Sequence, residues 1–92
     1  MVKKVLVIDD VKSELDLLSH YLEEAGFLVT ATADGLDALE RVKADRPDVI
    51  VTDLVMPDIT GLELCRKLKK DPATADIPIV ACTTKDRKMD KS

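Results

Sequence analysis

Three aspartates and one threonine are the residues of this chain best placed to do chemistry together. Asp9 and Asp10 close the apolar run Val5-Leu6-Val7-Ile8, and Asp53 closes Val49-Ile50-Val51-Thr52. Thr83 follows Ile77-Pro78-Ile79-Val80-Ala81-Cys82. Uninterrupted apolar runs of this length suit strands covered on both faces, as in a parallel sheet. Ligands of open α/β sheets bind outside the carboxyl ends of the strands, where the strand order reverses. If the runs lie parallel, the polar residues that end them share that edge.

Crowded carboxylates repel, and one of them must then hold its proton more tightly. A divalent cation relieves the repulsion. An oxygen-only ligand set with no His or Cys favours a hard ion, and a partly hydrated site suits Mg²⁺ better than Ca²⁺. No EF-hand loop pattern supports the calcium alternative. A carboxylate beside such an ion can act as nucleophile toward a phosphoryl group and form an acyl phosphate. A strand-end hydroxyl such as Thr83 could then donate a hydrogen bond to that phosphate. Each residue alone has a plainer reading: Asp9 and Asp10 as a helix N-cap and its neighbour, Thr83 as a cap or turn residue.

The elements that must position these groups follow from periodicity. After the first strand, residues 12–25 carry Leu15, Leu18, Leu22 and Ala25 at helical spacing, with Leu17 and Tyr21 widening the stripe, and Gly26 ends the helix. Phe27 to Thr32 is β-branched and half alternating, a second strand suited to an edge. Asp34-Gly35 reads as a turn. Leu36, Ala38, Leu39 and Val42 define a second helix, which Arg46-Pro47-Asp48 stops. After the third strand, Met56-Pro57 reads as loop packing and Asp58 as a solvated charge or cap. Gly61 opens a third helix with Leu62, Leu64, Cys65 and Leu68. Ile77–Cys82 is the fourth strand, with Pro78 near its start, where proline is tolerated. The order β-α-β-α-β-α-β implies a parallel sheet with right-handed crossovers and helices on both faces.

Composition bounds the rest. The chain has 92 residues, enough for one small domain, and its core must be aliphatic because Tyr21 and Phe27 are the only aromatics. The net charge of −4 argues against a nucleic-acid surface. Cys65 and Cys82 lack metal-type spacing and read as small hydrophobes rather than a disulfide. No stretch approaches the ~20 apolar residues of a membrane span. A soluble, cytoplasmic protein is expected. His20 reads as a surface or boundary residue of the first helix.

Taken together, Asp9-Asp10 after an apolar strand, Asp53 before Met56-Pro57, Gly61 opening a helix, and Thr83 after the fourth strand resemble the receiver domain of two-component response regulators. The resemblance covers essentially the whole chain. It implies a flavodoxin-like doubly wound parallel sheet in three α/β/α layers, with strand order 2-1-3-4-5. By position, Asp53 matches the phosphoacceptor, which is also a ligand of the Mg²⁺ ion. Asp10, with Asp9 in support, matches the acidic pair that binds Mg²⁺, and Val55 matches the residue whose backbone carbonyl faces the ion. Thr83 matches the switch hydroxyl, with Thr84 beside it. The implied partner is a histidine kinase or phosphotransfer protein. The implied role is a signalling domain that catalyses only its own phosphorylation and dephosphorylation, with its downstream effector open.

The resemblance also implies a fifth strand, a fifth helix and a phosphate-pairing lysine that residues 1–92 do not supply. Lys85, Lys88 and Lys91 do not match that lysine by position. The expectation is therefore a single receiver domain over 1–92, incomplete at its C-terminus. A fragment of a longer protein, a deliberately shortened domain, and a homodimer or element swap that covers the open Ile77–Cys82 edge all fit. Two other functions compete. One is a non-phosphorylated receiver-like assembly module. The other is a Mg²⁺-dependent phosphatase with an aspartyl nucleophile, which resembles Asp-x-Asp after its first strand, whereas the pair here is adjacent.

Overall fold

The computed structural model describes residues 2–53 and 61–82. Four strands and three helices alternate: β1 (Lys4–Ile8), α1 (Lys12–Glu24), β2 (Leu28–Thr32), α2 (Gly35–Asp45), β3 (Val49–Asp53), α3 (Gly61–Lys70) and β4 (Ile79–Cys82). All strand pairs are parallel, in the order β2-β1-β3-β4. β2 and β4 are the outer strands of this described sheet, so the edge expectation for the second strand is met.

The apolar runs dictate this arrangement. Val5, Leu6, Val7 and Ile8 are all buried, which only a strand covered on both faces allows. Side chains alternate across the sheet, so Leu6 and Ile8 join Ile50 on one face. There they meet Ala38 and Val42 of α2, Leu64 and Leu68 of α3, and Ile77. Val5 and Val7 point the other way, into a cluster with Leu15, Leu18 and Leu22 of α1, plus Phe27, Val29, Val49 and Val51. The two apolar faces of one sheet thus recruit helices on opposite sides, which is the doubly wound, three-layer arrangement expected.

Several local expectations need correction. Leu17 and Tyr21 do not widen the buried stripe of α1; both lie on its exposed side. Leu36 and Leu62, each in the first turn of its helix, are exposed as well. The fourth strand begins at Ile79, not Ile77, and Ile77 serves the core from the turn before it. Cys65 is only half-buried; burial pushes its thiol up, against the opposing charge of Lys69.

Asp34 and Gly35 do more than turn the chain. Asp34 is the N-cap of α2, and its carboxylate accepts from the backbone N–H of Leu36 (2.9 Å) and Asp37 (3.4 Å). At the other end Arg46 takes a left-handed conformation, φ 46°, and donates its backbone N–H to the Val42 carbonyl at 2.9 Å. Pro47 behind it disfavours a continued helix, so the chain turns there into β3. Gly26 has φ 101° after α1, and Phe27 N–H closes back on the Leu22 carbonyl at 3.1 Å.

Candidate functional site

The β1–β3 register sets the site. Val5 pairs with Val49 and Ile8 with Thr52. The next residue on each strand is an aspartate, so Asp9 and Asp53 emerge at the same height from adjacent strands. Asp10 follows in the turn to α1. One carboxylate oxygen from each of Asp9, Asp10 and Asp53 lies within 4.8 Å of the others. Asp9 and Asp53 are buried, while Asp10 is half-exposed.

Backbone hydrogen bonds hold Asp9 in place. Its N–H donates to the Thr32 carbonyl of β2 at 3.2 Å, extending the ladder one step past the strand. Its Oδ1 accepts from the Val11 N–H at 2.9 Å. Asp9 is therefore not the N-cap of α1; Val11 occupies that position and offers no side-chain cap. Asp9 Oδ2 is buried and has no hydrogen-bond partner. Leaving a buried carboxylate oxygen unpaired is costly. Burial is accordingly the main force pushing the Asp9 carboxyl up to about 6; the Val11 N–H opposes it, and the charges of Asp53 and Glu14 add to it.

An all-oxygen cluster with a buried unpaired carboxylate oxygen fits a hard divalent cation. Asp9, Asp10 and Asp53 could each supply a ligand, and the ion would cancel the repulsion that now falls on Asp9. No thiol or imidazole is part of the cluster, which disfavours the softer transition metals.

Of the residues singled out in the sequence, Asp9, Asp10 and Asp53 are thus brought together. Val55, Met56, Pro57, Asp58, Thr83, Thr84 and the lysines at 85, 88 and 91 lie outside the described residues. His20 is exposed on α1, its ring 6.0 Å from that of Tyr21, and is not part of the carboxylate cluster. Two contributors to the site escaped sequence reasoning. Thr32 pins the backbone of Asp9, which needed the β1–β2 register to be seen. Glu14, in the first turn of α1, adds its charge beside Asp9. Its position four residues after Asp10, one helical turn on, was a usable signal.

A parallel sheet of order 2-1-3-4 with acidic residues at the carboxyl ends of its two central strands defines a doubly wound α/β domain whose candidate site lies at the strand ends. The match is specific: the chain belongs to the response regulator receiver domain family, whose model covers residues 5–92. It is 38% identical over 91 residues to the alkaline phosphatase synthesis transcriptional regulatory protein PhoP of Bacillus subtilis, matching 99% of this chain and 37% of that one. The chain therefore spans little more than a third of that relative's length. Its structure is similar to chemotaxis response regulator CheY4 of Vibrio cholerae, with TM-score 0.84 and 34% identity over 97% of this chain and 77% of that one. It is also similar to the receiver domain of sensor histidine kinase PA1611 from Pseudomonas aeruginosa, solved with a magnesium ion coordinated in the active site cleft. That likeness has TM-score 0.85 and 25% identity, covering 96% of this chain and 75% of that one. Among the described residues no helix is long and apolar enough to cross a membrane.

Proposed function

We propose that this chain is a phosphoacceptor switch in which Asp53 takes a phosphoryl group from a histidine kinase or phosphotransfer protein. The observation that carries the reading is the convergence of the Asp9, Asp10 and Asp53 carboxylates at one end of the sheet. A structural aspartate at a strand end does not require two more beside it, nor a buried oxygen left without a partner.

In this reading a carboxylate oxygen of Asp53 attacks phosphorus, and a P–O bond forms as the P–N bond of phosphohistidine breaks. The electron pair departs with the imidazole nitrogen, which takes up a proton. Asp10 and Asp53, with the backbone carbonyl of Val55 and Asp9 in support, would hold Mg²⁺, which would supply positive charge to offset that on the phosphoryl oxygens. Burial keeps Asp53 poorly hydrated, so its carboxylate meets the phosphoryl donor without first shedding a full water shell. Thr83 is assigned the hydroxyl that senses the phosphate. The new charge then biases an equilibrium between two conformations, a population shift read by partners. The product is a modified protein rather than a released compound, so the domain signals and does not turn over a substrate in bulk.

The test is intact-mass measurement after incubation with Mg²⁺ and acetyl phosphate. The expected result is a gain of one phosphoryl group, absent without the metal and lost in Asp53→Asn. A wild-type chain that gains nothing overturns the proposal and leaves an unphosphorylated assembly role.

A further inference from the structure

α3 carries a charge opposite to that of the rest of the chain. It holds four basic residues against the single acid Glu63, a net charge of +3 in a protein whose total is −4, so everything outside it sums to −7. Cations in the last turn of a helix have an ordinary use, since they complement the negative end of its dipole. Lys69 is taken up by the fold as well: its ammonium donates to the Ala75 and Ile77 carbonyls, at 3.0 and 3.1 Å, and ties the helix to the turn before β4. Arg66, Lys67 and Lys70 are not taken up. All three are exposed, and among the described residues none of them makes an ion pair, although acidic residues outnumber basic ones in this chain. Lys12, Arg41 and Arg46, by contrast, each meet an aspartate.

Glu63, Arg66, Lys67 and Lys70 line one open groove on α3. Their helical spacing makes them a single face, about two turns and roughly 10 Å long. A face of that length meets about three residues of an extended chain, at ~3.3 Å each. Leu62, 57% exposed, lies one turn before Arg66 and borders the same face. The strip is therefore apolar and acidic at its N-terminal end and cationic beyond it. A long polyanion such as a nucleic acid would overrun the strip and meet the acidic remainder of the chain, which repels it. A short acidic segment of a protein meets only the cations.

We propose that the exposed face of α3 is a docking surface for a short acidic segment of another protein, with the segment's carboxylates against Arg66, Lys67 and Lys70 and an apolar side chain over Leu62. Charge complementarity carries the choice of occupant. The surface shares no residue with the Asp9, Asp10 and Asp53 cluster, so the inference stands apart from the phosphoacceptor reading.

The experiment titrates this chain with a short capped peptide, a run of glutamates ending in leucine, and follows the backbone amide shifts. The perturbed amides are expected to be those of residues 62–70, and the same peptide with glutamine for glutamate is expected to perturb none. Arg66→Glu with Lys67→Glu leaves Lys70 to the end of the helix and is expected to weaken binding about tenfold. Arg66→Gln with Lys67→Gln, a second variant should the reversals unfold the helix, is expected to weaken it about threefold. Lys3→Glu with Lys12→Glu changes the net charge as much as the reversals do, from exposed positions off α3. It is expected to leave the dissociation constant within about twofold of wild type, because exposed charges further off are screened. Binding unchanged in both α3 variants overturns the inference, as does equal loosening by the Lys3 and Lys12 reversals. A wild-type chain that binds no peptide, or whose shifts fall elsewhere, overturns it too. A thymidine oligonucleotide of matching charge that binds α3 more tightly than the peptide overturns the choice of occupant.

Discussion

Asp9 and Asp53 leave neighbouring parallel strands at the same height, one step beyond the paired residues Ile8 and Thr52, and each is 1% exposed. Burial opposes the ionisation of Asp9, and the charge of Asp53 beside it adds to the effect. A cation or a proton at Asp9 relieves that cost, and the dependence is the site's most testable property.

Asp9 should make the metal-free protein more stable in mild acid than at neutrality. Its carboxyl is raised from an ordinary value of 3.8 to about 6, first by burial and then, against the Val11 N–H, by Asp53 and Glu14. Between those values the folded state binds more protons than the unfolded one. Stability is therefore full below the lower value and is lost as pH rises through the higher. Denaturant unfolding without Mg²⁺ should show midpoints that fall from about pH 4 to about pH 7, with the fall removed in Asp9→Asn. A midpoint that rises over that window would contradict the assignment.

Thr74 should matter more than a threonine in a surface turn usually does. It is 1% exposed, and its hydroxyl donates to the Leu68 carbonyl at 2.6 Å. Leu68 lies in the last turn of α3, where the carbonyls have no partner within the helix. Thr74→Val fills the same space and leaves that carbonyl unpaired. A loss of about 1–3 kcal/mol is expected in urea unfolding. Thr74→Ser should recover most of it.

Gly26→Ala separates crowding from backbone conformation. A Cβ at Gly26 would meet nothing within 4 Å, so there is no clash to relieve. Its φ of 101° is nonetheless one that side-chain-bearing residues avoid. The variant should lose about 1–2 kcal/mol of stability with no change in the packing of its neighbours. A neutral effect in thermal unfolding would mean that the α1–β2 turn re-forms with negative φ.

The alternation of strands and helices was legible because the apolar runs and helical stripes have different periods, and a parallel sheet demands the former on both faces. The three aspartates were legible as well, since a carboxylate directly after a buried run has few other places to go. Asp34 was misread as part of a turn, because Asp-Gly signals a turn and a helix start alike. Only the bonds from Leu36 and Asp37 N–H decide between them. Leu17 and Tyr21 were credited to the core because a stripe read from one helix has no marked edge. Where burial stops depends on how far the sheet beneath extends.

What the sequence determined by itself is a chain of local choices: which segments extend, which coil, and which polar residue ends each one. What only the tertiary structure decided is who stands beside whom. The register that sets Asp9 level with Asp53, the Thr32 carbonyl that holds Asp9, and the turn of α1 that brings Glu14 against it all join residues from separate elements. Those distances arise when the two faces of one sheet bury their apolar side chains under helices. The packing that satisfies Leu6 and Val7 also fixes, one residue further on, where the carboxylates meet.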